Sequence, residues 1–163
     1  MVKKKKEKKN NTVNWRVLFF SILVVFGIAL LGNLFTGNPS SSEWYNSIRP
    51  AITPPSWIFP IVWNILFFLI ALSLYFSWIK AGKNKKIVAW GFGLNLFLNS
   101  IWSFLFFKLQ SPLFGFIDII LIIISIVSLM ILTWKIDRKS TYLLIPYLLW
   151  VSFASIINFL AIR

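Results

Sequence analysis

Five apolar runs, each long enough to cross a lipid bilayer as a helix, dominate this sequence. Hydrophobic residues make up 58% of the 163 residues. A helix needs about 20 apolar residues to span a bilayer, and inside lipid every backbone N–H and C=O group must be paired within the protein. We therefore predict an all-α integral membrane protein, a bundle of five transmembrane helices, with spans at about 17–36, 57–79, 87–107, 113–134 and 141–162.

A lysine-rich arm precedes the first run. Residues 1–16 hold six lysines and one arginine, offer little surface to bury, and are predicted to be disordered. The arm and the run together also resemble a secretory signal peptide, but the run exceeds the usual apolar region of about 7–15 residues and no Ala-x-Ala site follows it. We expect a basic cytoplasmic arm over 1–16 and a five-helix transmembrane domain over 17–163, with one long loop over 37–56.

Positive charge is divided unequally between the two ends of the predicted helices. Fourteen of the 17 Lys and Arg residues lie in the arm and in the loops after the second and fourth runs, and three lie on the other side: Arg49, Lys108 and Arg163. Lys and Arg concentrate on the cytoplasmic side of membrane proteins. We expect a bacterial cytoplasmic membrane, the N-terminus in the cytoplasm, and the long loop and the C-terminus outside. No nucleic-acid partner is expected, because the basic residues fill gaps between apolar runs.

Residues that are missing exclude several kinds of chemistry. The chain has no cysteine, no histidine and four acidic residues, which excludes thiol chemistry, histidine base catalysis and Cys/His metal sites. We expect no metal. One acid, Asp118, lies inside the fourth run, where an ionisable residue is a functional candidate. It stands about two turns past Pro112, so a structural bond to a neighbouring helix or loop is favoured over a proton relay.

Helical spacing separates a candidate pocket from the aromatic belt at the membrane surface. Trp78, Trp90 and Trp134 fall near the ends of runs and fit such a belt. Other aromatic and polar residues recur every three or four positions and so share one face of their helix. They form three stripes: Trp63 and Phe67 in the second run; Asn95, Asn99, Trp102 and Phe106 in the third; and Tyr147, Trp150, Ala154 and Asn158 in the fifth.

The asparagines of these stripes are expected to face the bundle interior, because contact with lipid would be costly. Taken alone, Asn99 and Asn158 are explained by hydrogen bonds between helices. The three stripes together, beneath a loop that contains Trp44 and Trp57, favour a pocket. Aromatic walls with few polar groups suit a flat lipophilic ligand bound by stacking.

Three blocks of sequence carry a resemblance to a known family. They are Trp44-Tyr45, Arg49-Pro50, Pro54-Pro55-Ser56-Trp57 and Trp63; then Asn95, Asn99, Trp102, Phe106-Phe107, Pro112 and Asp118; then Pro146-Tyr147, Trp150, Phe153-Ala154 and Asn158. Together these blocks closely resemble the TspO/MBR family of tryptophan-rich sensory proteins and translocator proteins, also called peripheral-type benzodiazepine receptors. The resemblance covers everything except the lysine arm.

The resemblance implies five transmembrane helices, often in a dimer, and a ligand cavity capped by the first loop, here 37–56. Family ligands include porphyrins, cholesterol-like lipids and isoquinoline or benzodiazepine drugs. From the family positions and the stripes, the expected ligand-binding residues are Trp44, Tyr45, Trp63, Phe67, Asn95, Asn99, Trp102, Tyr147, Trp150 and Ala154.

Some bacterial family members are similar to photochemical enzymes that degrade protoporphyrin in light, and tryptophans at the positions of Trp63 and Trp150 are implicated there. This sequence departs from the family in three places. Arg49 replaces the commoner lysine, Phe67 stands where many members have tyrosine, and the C-terminal end lacks the tyrosine of a cholesterol-recognition pattern, which weakens the case for sterol binding.

The sequence thus favours a membrane receptor or sensor for porphyrins and other flat lipophilic ligands. The alternatives are a light-dependent porphyrin-degrading enzyme, with Trp63 and Trp150 as catalytic residues, and a tetrapyrrole or lipid transporter. We expect no required cofactor, with protoporphyrin IX as ligand or substrate. Expected partners are the lipid bilayer, a porphyrin or sterol-like molecule, and a second copy of the chain bound through the small-residue face Ala89–Gly93.

The charge asymmetry predicts a measurable topology. A reporter fused after Arg163 should be active as alkaline phosphatase, which works outside the cytoplasm, and dark as a fluorescent protein, which matures inside. A C-terminal fusion that is active only in the cytoplasm would overturn the orientation.

Overall fold

The computed structural model describes residues 13–37 and 41–162. Most of the predicted basic arm, residues 1–12, lies outside the described residues, as do 38–40 of the long loop and Arg163. Within the described part, the helices are α1 (Trp15–Thr36), α2 (Glu43–Ile48), α3 (Ile58–Lys80), α4 (Lys85–Ser103), α5 (Pro112–Ile136) and α6 (Arg138–Leu160).

Five long helices of the described part, all except α2, are long and apolar enough to span a membrane. A short 3₁₀ turn, Gly82–Asn84, leads into α4, and a π-helical turn, Phe104–Lys108, extends it. The predicted fold class, an all-helical protein with five transmembrane spans, is confirmed.

The five long helices form a closed ring. Around it, α1 packs against α3, α3 against α6, α6 against α5, α5 against α4, and α4 against α1. The ring interior contains apolar side chains that are at most 1% exposed: Val25, Ile70, Phe92, Ile126 and Leu144. Large apolar side chains also cover the outside, as expected where a surface contacts lipid; Leu34, Trp90 and Leu149 are examples.

The short helix α2 corrects one expectation. We expected one long loop over 37–56, yet Glu43–Ile48 within it is helical. Proline restricts its own position and the residue before it. Arg49, which precedes Pro50, is extended with ψ of 117°, so the helix ends there. The six residues before Arg49 are not restricted by proline and form a helix.

Side-chain caps fix the start of the two helices that flank this end of the bundle. Ser42 Oγ accepts a hydrogen bond from the Tyr45 N–H at 3.2 Å, and Ser111 Oγ accepts one from the Phe114 N–H at 3.4 Å. Pro112 occupies the first position of α5, where its missing N–H would have had no helical partner. Both helix starts are therefore encoded locally.

The π-helical turn changes the direction of two phenylalanines at the end of α4. The Leu109 N–H donates to the Phe104 carbonyl, five residues back, at 2.9 Å. Neighbouring side chains of a regular helix point about 100° apart, but here Phe106 and Phe107 both contact the ring of Tyr45. Such turns occur frequently at functional sites.

Helices α1 and α4 approach closely at Gly32. A Cβ atom added there would lie 3.3 Å from the Ser100 Cα atom, which is backbone and cannot rotate away. Nearby, Ser100 Oγ donates to the Ile28 carbonyl at 3.0 Å. Glycine at this position therefore permits both the close approach and the interhelical hydrogen bond.

This contact predicts that Gly32→Leu separates α1 from α4 and destabilises the protein by about 1–3 kcal/mol, as overpacking does elsewhere. Gly27→Leu is the matched control, because a Cβ at Gly27 meets nothing within 4 Å and the substitution is chemically the same. The midpoint of thermal unfolding in detergent measures the difference. Equal midpoints for the two variants would show that the α1–α4 contact is not tight.

Candidate ligand-binding site

Helix α2 covers one end of the bundle with its aromatic side chains. The ring of Trp44 meets Phe106 edge-on at a centroid distance of 5.6 Å, and Tyr45 meets Phe107 at 5.7 Å. Beneath them, Phe106 stacks on Trp102 at 5.1 Å with an interplanar angle of 17°. The loop therefore rests on the aromatic end of α4, and Phe106 is only 4% exposed.

A hydrogen-bonded bridge fixes the Trp102 ring. Trp102 Nε1 donates to Asn158 Oδ1 at 3.0 Å, and Asn158 Nδ2 donates to the Pro112 carbonyl at 2.7 Å. Asn158 is 1% exposed. One asparagine thus joins α4, the start of α5 and α6, which agrees with the interhelical hydrogen bonding considered for it from the sequence.

A second aromatic group lies deeper, around Trp63. Its indole stacks on Phe67 at 5.3 Å with an interplanar angle of 27° and meets Tyr147 edge-on at 6.2 Å. Asn99 Nδ2 donates to the Tyr147 hydroxyl at 3.2 Å, and Phe26 of α1 contacts Phe67. Stripe residues of α3, α4 and α6 therefore meet inside the ring of helices.

Several buried side-chain oxygen atoms have no hydrogen-bond partner among the described residues, and two of them belong to Asn95 and Asp118. Asn95 Nδ2 donates to Ser125 Oγ at 2.8 Å, but Asn95 Oδ1 has no hydrogen-bond partner in the described chain. Asp118, 4% exposed, likewise has an unpaired Oδ2. Burying an unpaired polar atom costs about 1–3 kcal/mol, so each oxygen marks a point that a water molecule or a polar ligand group would stabilise. The bond expected from Asp118 to a neighbouring helix or loop is absent among the described residues.

Trp150 lies on the α3 side of α6. Its ring meets Phe59 at 5.8 Å and lines an apolar groove of about 400 Å³ between α3 and α6. The Trp150 Nε1 atom is buried without a partner in the described residues. Val62 lines the same groove and precedes Trp63 in α3, so the groove and the Trp63 group adjoin the same turn of helix.

The loop beyond α2 is braced by Arg49. Arg49 Nη2 donates to the Pro54 carbonyl at 2.8 Å and to the Thr53 carbonyl at 3.4 Å. Burial raises the pKa of the Tyr45 hydroxyl above its ordinary value, while the charge of Arg49 acts in the opposite direction. Tyr45 thus remains a neutral phenol at physiological pH, able to donate or accept a hydrogen bond.

Sequence comparison decides the family. The model of the TspO/MBR family matches residues 19–163. This chain belongs to the TspO/MBR family. It is 41% identical over 143 residues to tryptophan-rich protein TspO of Archaeoglobus fulgidus, covering 87% of this chain and 92% of the relative.

Other TspO/MBR relatives come from distant organisms. The chain is 37% identical over 153 residues to tryptophan-rich protein TspO of Chlorobaculum tepidum, covering 90% of this chain and 96% of the relative. It is 30% identical over 122 residues to translocator protein of Ovis aries, covering 72% of each. The resemblance inferred from the three sequence blocks is confirmed.

In this TspO/MBR protein the expected ligand-binding residues fall into three places. One group lies at the capped end of the bundle: Trp44, Tyr45 and Trp102. A second lies in the interior: Trp63, Phe67, Asn95, Asn99 and Tyr147. Trp150 lies at the α3–α6 groove, and Ala154, half-buried one turn further along α6, packs on the core. The rings contact one another, and neither described groove extends beneath α2.

Sequence reasoning missed several residues that contact these groups. Ser125 lies seven positions after Asp118, so helical spacing could have placed both on one face. Phe107 is outside the α4 stripe and reaches Tyr45 through the π-helical turn, which leaves no signal in the sequence pattern. Phe59 lies four residues before Trp63, so the same helical spacing could have added it to that stripe. Phe26 is a single phenylalanine in an apolar run and could not be told from a lipid-facing residue.

Proposed function

We propose that this protein is a membrane receptor or sensor that binds porphyrins and other flat lipophilic ligands, sterol-like molecules included, among the aromatic side chains beneath α2. The observation that carries the proposal is the packing of Trp44 and Tyr45 on the Trp102–Phe106 stack. A flat ligand can replace these ring contacts with stacking of its own, worth about 0.5–1.5 kcal/mol per aromatic pair beyond buried area.

Ligand entry requires α2 to move. The rings beneath it contact one another, and a macrocycle needs the space between them. Helix α2 has only six residues and no buried side chain, and the rings of Trp44 and Tyr45 contact the end of α4. We propose that α2 opens as a lid and closes over the bound ligand.

Light-dependent porphyrin degradation is the second candidate function. Trp63 and Trp150 are half-buried, lie on different helices and adjoin the same turn of α3. Indole rings are readily oxidised, a bound porphyrin absorbs the light, and dissolved O2 would be the oxidant, so the reaction would need no resident cofactor. Protoporphyrin IX is then a ligand in the first function and a substrate in the second.

Tryptophan substitutions separate the two functions. Trp63→Phe and Trp150→Phe keep a smaller ring, so protoporphyrin affinity in the dark should fall by about tenfold or less, on the order of 1.4 kcal/mol. If the protein degrades porphyrin, bleaching in light should exceed that of free porphyrin and collapse in both variants. Fluorescence quenching in the dark and absorbance under illumination give the two readouts.

Trp90→Phe is the matched control for these variants, because Trp90 is 79% exposed on the outside of α4. It should change neither binding nor bleaching. Wild-type protein that binds porphyrin without accelerated bleaching is a receptor. If Trp63→Phe and Trp150→Phe leave both binding and any light reaction unchanged, the proposed ligand site is wrong.

We also propose the orientation with α2 on the outside of a cytoplasmic membrane. The unequal division of Lys and Arg residues between the two ends of the bundle supports this orientation. The described cations Lys80, Lys83, Lys135 and Lys139 lie with the start of α1 at the end of the bundle away from α2, which is the arrangement favoured for the cytoplasmic side.

A homodimer through the Ala89–Gly93 face of α4 completes the proposal. Both residues are exposed and line an apolar groove of about 420 Å³ between α1, α3 and α4. Gly91, between them in sequence, instead points toward Leu129 of α5. Small residues on an exposed helix face permit close approach of a second helix.

The dimer proposal predicts that Gly93→Leu weakens self-association and leaves porphyrin affinity nearly unchanged. A Cβ at Gly93 meets nothing within 4 Å, so the monomer should fold normally. Gly27→Leu, on an equally open part of α1, is the control. Chemical cross-linking in detergent that is the same for Gly93→Leu and wild type would exclude this face as the interface.

A further inference from the structure

The apolar groove of about 420 Å³ lies on the outside of the bundle, in the half away from α2. It is lined by the first half of α1, the end of α3 and the first part of α4. Phe92 and Leu96, each 1% exposed, lie deep in it, whereas Phe20 on its edge is 64% exposed. The bilayer core holds no water that could fill such a groove, so a hydrocarbon chain is its natural occupant.

Two lysines begin α4 at the end of this groove. Lys85 precedes Ala89 by four residues and Phe92 by seven, so it shares the helix face that lines the groove. Lys86 precedes Ala89 by three residues, on the same side of the helix. Both lysines are exposed, and side chains of a helix lean toward its N-terminus, which here is the membrane surface.

A measured contact places the Lys85 ammonium group beside the groove. Lys85 Nζ lies 5.6 Å from the centroid of the Trp78 ring, within the range of a cation–π interaction, and Trp78 lines the groove. An ammonium has three N–H donors, and a ring contact leaves donors for an acceptor oxygen. Lys85 is therefore positioned to bind an anionic group at the mouth of the groove.

Acidic side chains of the described residues do not neutralise this mouth. Asp137 lies at this end of the bundle, but its carboxylate pairs with Lys80 at 2.8 Å. Glu43 belongs to α2, and Asp118 lies two turns into α5, in the half that contains α2. Arg16, exposed in the first turn of α1, adds a further positive charge. The mouth thus combines an apolar recess, an indole ring and uncompensated cations.

The recess is too narrow for another helix. Neighbouring helices pack with their axes about 8–10 Å apart, and a helix with its side chains is about 10–12 Å wide. A second copy of the chain would therefore rest on the exposed Ala89–Gly93 face of α4, beside the recess, without filling it. A single acyl chain is thin and flexible enough to enter.

We propose that this groove binds an anionic phospholipid of the leaflet on that side of the membrane, with one acyl chain between α1, α3 and α4 and the phosphate bound by Lys85 beside the Trp78 ring. Lys86 and Arg16 add attraction for a headgroup of net negative charge. A zwitterionic lipid fits the same recess, but its own cation is repelled by these residues. The site is separate from the aromatic groups beneath α2, and the proposal does not depend on the receptor function.

The test identifies lipids retained by the full-length protein in native mass spectrometry. The protein, in nonionic detergent, is mixed with equal amounts of phosphatidylglycerol and phosphatidylcholine that carry the same acyl chains, and mass distinguishes the two lipids. Wild-type monomer should retain one phosphatidylglycerol in roughly tenfold excess over phosphatidylcholine, as expected when several cations lie near one anionic headgroup. The six lysines of residues 1–16 are present in every variant, so their general attraction for anionic lipid cancels in the comparisons.

A charge-removing variant assigns the headgroup preference. Lys85→Gln should lower the excess of phosphatidylglycerol by about threefold to fivefold and leave retention of phosphatidylcholine unchanged. The variant should fold normally, because a lysine in the first turn of a helix opposes the helix dipole. Arg138→Gln is the matched control. The Arg138 guanidinium lies 4.8 Å from the centroid of the Trp134 ring at the same end of the bundle, but Trp134 lines neither described groove.

A groove-filling variant tests the acyl-chain contact separately. Ala89→Phe adds a ring to the lining of the groove and should cause loss of both lipids alike, with no change in the positive charge. Leu94→Phe is its control, because Leu94 is 54% exposed on α4 and does not line the groove. It should retain lipid as wild type does.

Several results would overturn the proposal. Equal retention of the two lipids by wild type would exclude selection for negative charge, and an equal effect of Lys85→Gln and Arg138→Gln would show attraction to this end of the bundle in general. Lipid that survives Ala89→Phe lies elsewhere. Lipid that is found on dimers alone would mean that a second copy completes the site. If Ala89→Phe does not fold, the comparison of Lys85→Gln with Arg138→Gln decides.

Discussion

Pairing of backbone polar groups inside the bilayer is the constraint on which this structure depends. Lipid offers no hydrogen bonds, so each membrane-spanning segment has to satisfy its own N–H and C=O groups. The five long helices do so, apart from the position of Pro146 inside α6, which has no N–H to donate to the carbonyl four residues earlier. The segment with Pro50, Pro54 and Pro55 cannot, because proline lacks a donor and pushes the preceding residue out of the helical region. That segment is therefore confined to the membrane surface, where it includes α2 and the brace formed by Arg49.

The surface position of the loop determines which side chains form the candidate site. Aromatic rings from α2 meet rings from the end of α4, and a single asparagine, Asn158, connects that end to α5 and α6. The end of α4 is thus held by hydrogen bonds, and the short helix α2 meets it through ring contacts. A lid that closes through aromatic packing can exchange those contacts for equivalent ones with a flat ligand.

Much of this arrangement could be predicted from the sequence, because membrane helices obey simple rules of length and spacing. The five spans followed from hydropathy, and the three-to-four spacing brought Trp63, Asn99 and Tyr147 to one interior group. Helix α2 was not predicted, because the nearby prolines suggested an irregular loop although its six residues can form a helix. The contact of Phe107 with Tyr45 depends on the π-helical turn. The burial of Asp118 Oδ2 without a partner in the described part of the chain depends on how α5 packs against its neighbours. Neither leaves a periodic signal.

We propose that α2 is a lid over an aromatic site, and a measurement of the position of α2 tests this most directly. The chain has no cysteine, so spin labels can be placed at Ser47→Cys on α2 and at Lys135→Cys near the other end of α5, both exposed positions. Double electron–electron resonance, in labelled protein diluted with unlabelled chains, reports the distance between them. The account predicts that saturating protoporphyrin in the dark shifts or broadens this distance. An unchanged distribution, with binding verified in the same sample, would contradict it.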